Sequence, residues 1–162
     1  MGKRSNFPRH YRDDYATPDE AFQPLVPFLK WERIVEPCPG KGRLVKHMRK
    51  AGFKVSPVKA DARTHHYDLV GDVMFVTNPP WTREILHPII VNLSDQAPTW
   101  LLMDADWAHL LCARPFLRRL RTIISIGRVK WFPDSGSVSL DNAAWYEFGY
   151  PSRRSTRFYG RQ

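Results

Sequence analysis

The segment Asp72–Glu84, DVMFVTNPPWTRE, constrains this chain more than any other. Five mostly apolar residues make a strand that is buried on both faces. Asn78-Pro79-Pro80 then ends it abruptly. Proline fixes φ and has no N–H for a sheet ladder, so two in a row force the chain out of the sheet. Apolar residues at helical spacing resume in REILHPIIVNL. A buried strand, a stiff turn and a helix form the repeating unit of an α/β protein.

The same alternation runs through the rest of the chain. TPDEAFQPLVPFLKW opens a helix, with Thr17 as N-cap, Pro18 in the first turn and Glu20 closing a capping box. Pro24 and Pro27 kink or shorten it. RIVEP is a short buried strand, and GRLVKHMRKAG an amphipathic helix stopped by Gly52. FKVSPVKA and TWLLMD are strands, and DWAHLLCARPFLRRL a second long helix. TIISIG, RVKWF and AAWYEFGY read as strands, with a turn over Asp134-Ser135-Gly136-Ser137. The expected fold is a Rossmann-like three-layer α/β sandwich on a mostly parallel sheet, closed by a C-terminal antiparallel hairpin. Residues 14–150 are expected to form its one folded domain, flanked by basic arms at 1–13 and 151–162 that are expected to be solvated.

Composition narrows the partners. The chain of 162 residues carries a net charge of +9, which favours polyanions and nucleic acid in particular. Two cysteines, Cys38 and Cys112, form neither a disulfide framework nor a zinc spacing. No apolar leader or membrane-length run is visible, so the expected location is cytoplasmic. Charge leaves both a monomer and a homodimer open.

The chemical signals fall at expected strand ends, where open α/β sheets bind ligands. In VEPCPGKGRLV, Glu36 ends a strand and Gly40 and Gly42 bracket the turn into a helix. Glycines there allow a sharp turn and close approach of a ligand. Asp61 follows Gly42 by nineteen residues, the position at which such folds place a carboxylate on ribose hydroxyls. Asn78-Pro79-Pro80-Trp81 completes the set. The Asn78 side-chain oxygen and the Pro79 carbonyl can accept two hydrogen bonds from one exocyclic amine, and Trp81 offers a face for a base. An exocyclic base amine is a weak nucleophile because its lone pair is delocalised into the ring. Two acceptors set around it favour sp3 character and match the charge that develops during alkylation.

On these motifs the chain resembles class I S-adenosylmethionine-dependent amino-methyltransferases with an (Asp/Asn/Ser)-Pro-Pro-aromatic motif, and is similar to small phage-type DNA adenine-N6 methyltransferases. The resemblance implies S-adenosyl-L-methionine as cofactor. In YATPDEAF it implies cofactor contacts from Tyr15, Thr17 and Pro18, and in VEPCPGKG from Glu36, Pro37, Gly40 and Gly42 around the methionine moiety. Asp61, with Ala62 beside it, would bind the ribose. In YDLVGD, Asp68 would meet the adenine amine, with Leu69 beside the ring. Asn78 would border both cofactor and substrate, and Asn78, Pro79, Pro80 and Trp81 would be catalytic. The implied reaction is methyl transfer to the N6 amine of adenine in DNA. RNA adenine-N6 or DNA cytosine-N4 transfer is an alternative, as is a non-catalytic nucleic-acid-binding module. The motif order fits one of the family's circular arrangements, over residues 14–82.

Two departures stand out. Pro39 lies inside the glycine loop, and DVMFVT begins only eleven positions after Asp61, so a strand–helix unit is expected to be shortened or lost. Other constellations favour structural readings. Cys38 sits in the glycine loop rather than in a nucleophile motif, His65-His66 has no third metal ligand at suitable spacing, and Asp106 reads as a helix cap. Arg128 and Trp131 are candidates for nucleic-acid contact, with core packing at least as favoured for Trp131.

Overall fold

The computed structural model describes residues 16–131 and 141–161. Tyr15, the N-terminal arm and the expected turn at Asp134–Ser137 lie outside them. Within them the chain forms α1 (Asp19–Phe22), β1 (Arg33–Glu36), α2 (Arg43–Lys50), β2 (Lys54–Pro57), β3 (Val73–Thr77), α3 (Arg83–Gln96), β4 (Thr99–Asp104), β5 (Leu120–Arg128), β6 (Asn142–Phe148) and β7 (Arg157–Tyr159). The strands make one seven-stranded sheet in the order β2-β1-β3-β4-β6-β5-β7. Every strand except β6 points the same way, because β6 is antiparallel to both of its neighbours. This is the Rossmann-like sandwich that the alternation predicts.

Strand alternation divides the core into two layers. Met74, Val76, Trp100, Leu102 and Trp145 face α1 and α2, where Phe22, Leu44, Val45 and Met48 cover them. Phe75, Leu101, Met103, Tyr146 and Phe148 face the other way, onto Leu86, Ile89, Ile90 and Leu93 of α3. Among the described residues, no helix is long and apolar enough to cross a membrane.

Several local expectations fail for identifiable reasons. The capping box at Thr17 does not form. Pro18 holds the N-cap position of a four-residue α1, Gln23–Phe28 continues as a 3-10 helix through its prolines, and Glu20 turns away to accept from the Lys130 backbone N–H at 3.1 Å. The expected long helix over 106–120 is two 3-10 segments, Trp107–His109 and Leu111–Phe116. Leu110 between them is extended at ψ 143°, and Pro115 denies the second segment a donor. Asp106 makes no side-chain cap, and its own N–H donates to Asp104 Oδ1 at 2.8 Å. Of RVKWF, the described residues 128–131 form no separate strand. β5 runs on to Arg128 through a bulge at Gly127, which adopts φ 77°. Arg157–Tyr159 of the expected solvated tail instead pairs in parallel with β5.

The unit between β2 and β3 is indeed reduced, to a connection over 58–72 without strand or helix. Side chains of α3 hold it in place of a helix. Asn92 Nδ2 donates to the carbonyls of Ala62 (3.0 Å) and His65 (2.9 Å), and Gln96 Nε2 donates to His65 at 3.1 Å.

Trp145 is fully buried, and its indole N–H donates to the Ala21 carbonyl at 2.7 Å, fastening α1 to the sheet. Trp145→Phe therefore loses a buried hydrogen bond together with indole volume. The expected cost is about 1–3 kcal/mol, read as a lower urea midpoint with an unchanged slope.

Candidate functional site

The chain passes from β1 through α2 out to β2, then returns across β1 to β3. The carboxyl ends of β1 and β3 thus flank the switch point of the sheet, where a crevice opens. Glu36 ends β1, and Thr77-Asn78 ends β3.

After Glu36, Pro39-Gly40-Lys41-Gly42 closes as a turn, with the Gly42 N–H donating to the Pro39 carbonyl at 2.6 Å. Gly40 (φ 48°) and Gly42 (φ 76°) are both left-handed, which explains glycine at each. Gly42 is the N-cap of α2. Pro39 is accommodated because the turn needs only its carbonyl.

Glu36 is buried beneath this loop. Its Oε1 accepts from the Cys38 N–H at 3.0 Å, while Oε2 meets no hydrogen-bond partner. Burial pushes its pKa up to about 8, and the neighbouring Thr77 hydroxyl and the Cys38 amide only partly offset this. Thr77 Oγ1 and Tyr67 Oη are also buried without a partner of good geometry. These groups share one neighbourhood. Burial and then the charges of Glu36 and Asp61 push the Cys38 thiol up to about 12, and burial with Cys38, Glu36 and Asp61 pushes Tyr67 up to about 12. Buried polar atoms are normally satisfied, so a cluster of unsatisfied ones at a crevice marks a place shaped for a polar ligand. Glu36 in particular suits a cationic amine.

Asn78 stands at the other side of the crevice. Its Nδ2 donates to the buried Thr17 hydroxyl at 3.1 Å, which fixes the amide orientation and leaves Oδ1 as the acceptor. The Trp81 indole N–H donates to the Leu102 carbonyl at 3.0 Å and to Asn78 Oδ1 at 3.3 Å. Pro79 is buried, while Asn78, Pro80 and Trp81 remain partly exposed. Trp81 meets Trp131 edge to face, with ring centroids 5.8 Å apart.

The structure therefore brings Thr17, Pro18, Glu36, Pro37, Gly40, Gly42 and Asn78–Trp81 to the ends of β1 and β3. Asp61 lies four residues past β2, where Arg63 binds both its oxygens, the shortest distance being 2.7 Å. That pairing holds its carboxyl down at about 2. A diol at Asp61 would have to displace these bonds. Ala62 is buried beneath it, with its carbonyl held by Asn92. Asp68 and Leu69 line a cleft of about 580 Å³ with Tyr67, Val70, Asp95 and Gln96, beside the C-terminal end of α3. Sequence reasoning missed Tyr67 and Thr77. Thr77 had a signal, as a hydroxyl ending an otherwise apolar strand immediately before Asn78. Among the described residues, no three His, Cys, Asp or Glu side chains cluster closely enough to hold a metal ion.

The architecture recurs in solved structures. A candidate RNA methyltransferase from Pyrococcus horikoshii superposes with a TM-score of 0.59 at 11% identity, over 93% of each chain. A modification subunit of a candidate type I restriction enzyme from Vibrio vulnificus gives 0.55 at 11% identity, over 90% of this chain and 46% of that one, so the present chain spans about half its length. A dimethyladenosine transferase from Plasmodium falciparum gives 0.51 at 12% identity, over 85% of this chain and 63% of that one. What is shared at such identities is the fold. No protein-family model matches the sequence, and no curated protein matches it either.

Glu36 makes stability depend on pH. Its folded pKa lies near 8 against an ordinary 4.5, so the folded state holds a proton that the unfolded chain releases. That stabilisation is complete below pH 4.5 and is lost progressively as pH rises through 8, for a total on the order of 5 kcal/mol. Glu36→Gln is expected to flatten the fall between those values, and to be the more stable protein at pH 9. Urea midpoints at pH 5, 7 and 9 check this; parallel profiles for the two proteins would show that Glu36 is not held protonated.

Proposed function

We propose that this protein is an S-adenosylmethionine-dependent methyltransferase acting on the N6 amine of adenine in DNA. One observation carries the reading: the Thr17-fixed Asn78 amide and the unsatisfied Glu36 carboxyl stand on adjacent strand ends across one crevice. The likeness in fold to enzymes described as RNA and adenosine methyltransferases supports it, as does the excess of positive charge.

The cofactor's residues would be Glu36, for the methionine ammonium, the Gly40–Gly42 loop and α2 N-terminus around it, and Asp61 for the ribose. Bound there, S-adenosylmethionine supplies an electrophilic methyl group on a sulfonium. The chain's own part is to prepare the amine. Thr17 holds the amide of Asn78 so that Oδ1 faces the substrate. Asn78 Oδ1, which accepts from the Trp81 indole at 3.3 Å, would present its carbonyl oxygen to the target amine. The Pro79 carbonyl is the second acceptor, stiffened by Pro80. Positive charge developing on the amine nitrogen as it took up the methyl group would strengthen its hydrogen bonds to both oxygens. The surplus proton then leaves the nitrogen for solvent. No strong base is required, because the amine becomes acidic only on alkylation. A base in duplex DNA must leave the stack to reach Asn78.

RNA is the second reading. The Pyrococcus horikoshii protein described as an RNA methyltransferase matches this chain over 93% of both lengths. Transfer of labelled methyl to duplex DNA, single-stranded DNA and RNA, followed by nucleoside identification, separates the readings. N6-methyldeoxyadenosine is expected, with Asn78→Ala lowering kcat about 100- to 1,000-fold. N6-methyladenosine would assign RNA, and N4-methyldeoxycytidine would correct the base. No transfer to any substrate would leave a binding module.

A further inference from the structure

The carboxyl edge of the sheet continues past the crevice as a rim. From Asn78–Trp81 it passes the end of β4, Asn142–Ala143, Gly127–Arg128 and finally Arg161. Trp131, three residues beyond Arg128, leans back onto Trp81, while the Lys130 backbone is tied to Glu20 of α1. The rim is therefore aromatic near Asn78 and cationic farther out.

Arg161 reaches this rim because of two local features. β7 pairs with β5 in the register Thr122↔Arg157, Ile123↔Phe158, Ile124↔Tyr159, and Tyr159 anchors it edge to face on Phe28 at 4.8 Å. Gly127 then provides the seat. A Cβ there would stand 3.2 Å from both Arg161 Cδ and Nη1, and the residue's φ of 77° is itself unfavourable for side chains. Glycine is thus favoured at this bulge by its conformation, and the Arg161 side chain lies over it.

The cations on the rim, like most lysines and arginines among the described residues, are not paired with a carboxylate; Lys54, Arg63 and Arg119 are the exceptions. Among the described residues, no such ion pair involves Arg128, Lys130 or Arg161. Of the nearby carboxylates, Glu20 and Asp104 each already accept from a backbone N–H, and Asp141 is a third. Guanidinium forks match phosphate oxygens better than any other side chain does. Three strand spacings of about 4.8 Å separate β4, whose Leu102 carbonyl holds the Trp81 indole, from β7, or about 14 Å. That is the reach of a few nucleotides of a strand whose target base lies at Trp81.

We infer that Arg161, seated on Gly127, and Arg128 form a phosphate clamp for the nucleic-acid strand whose base is presented to Asn78. The inference rests on the function proposed above. The clamp meets the backbone and so carries no sequence information; it sets where along the rim the strand lies.

The test is the salt dependence of binding for a single-stranded oligonucleotide, in DNA and RNA forms, to the full chain. Arg161→Ala is expected to weaken binding several-fold at low salt, and to reduce the slope of log affinity against log salt by about 0.7 for each phosphate that is no longer neutralised. Arg161→Lys should keep most of the slope. Lys50→Ala, at the far edge of the sheet, controls for general charge. An unchanged slope in Arg161→Ala overturns the clamp. A titration of wild-type protein with S-adenosylmethionine separates the two readings. Cofactor binding with an unchanged slope removes the clamp alone, whereas failure to bind both cofactor and oligonucleotide removes the proposed function with it.

Discussion

Two adjacent side chains on the one reversed strand hold the rest of the molecule in place. Trp145 and Tyr146 of β6 point to opposite faces of the sheet, and both are fully buried. Trp145 hydrogen-bonds the Ala21 carbonyl, so it fixes α1, and α1 follows directly on the Thr17 that orients Asn78. Tyr146 donates to the Ala105 carbonyl at 2.8 Å and the Asp104 carbonyl at 3.1 Å, so it fixes the turn that leaves β4. Burial pushes its pKa well above the usual phenol value, which keeps it a donor at any ordinary pH. Because β6 pairs on both edges, its register also sets that of β4 and β5. A slip of one residue would exchange the two aromatics between faces and release both tethers.

The site is assembled at the expense of local stability. Of the four buried side-chain polar atoms without a partner among the described residues, three, on Glu36, Thr77 and Tyr67, lie beside the switch point, and the fourth is His47 Nε2 on α2. Each such group costs about 1–3 kcal/mol relative to a satisfied one. A carboxyl kept protonated there would release its proton on meeting a cationic ligand, because the ligand's charge favours the ionised form. Binding of that kind relieves the strain that folding leaves in place, so the pocket is most stable when filled. Asp61 follows the opposite logic. It is exposed and already partnered by Arg63, so its availability depends on an exchange of partners rather than on protonation.

Much of this was legible in the chain, and the failures share a cause. β1, β3 and β4 announced themselves as short apolar runs ended by turn residues, since burial on both faces leaves little else for a sequence to show. The glycine loop and Asn78–Trp81 were legible because each needs unusual backbone chemistry. What stayed hidden depended on partners distant in sequence. Glu20 looked like a capping-box acid until Lys130 supplied a competing N–H. Residues 106–120 carried a helical pattern, but Pro115 and the extended Leu110 broke it in two. The path of the shortened 58–72 connection was hidden in the same way, because it is held by the Gln96 side chain, which accepts from the Tyr67 N–H at 2.8 Å. STRFYG shows no strand pattern by itself, and becomes one only against the open edge of β5.

That last strand ties the limits of the fold to the reach of its site. An exposed sheet edge invites pairing with other chains, and proteins blunt it with short strands and flanking charge. β7 does both. It is three residues long, its one outward apolar side chain, Phe158, is 68% exposed, and Arg157 and Arg161 stand on either side of it. Charge placed there to discourage edge pairing also lies at the end of the rim that leads to Asn78. A neutral substitution that served edge protection equally well, such as proline, would leave that rim without its terminal cation. The choice of arginine over Gly127 is thus explained by position along the rim, whereas edge protection by itself would accept several residues.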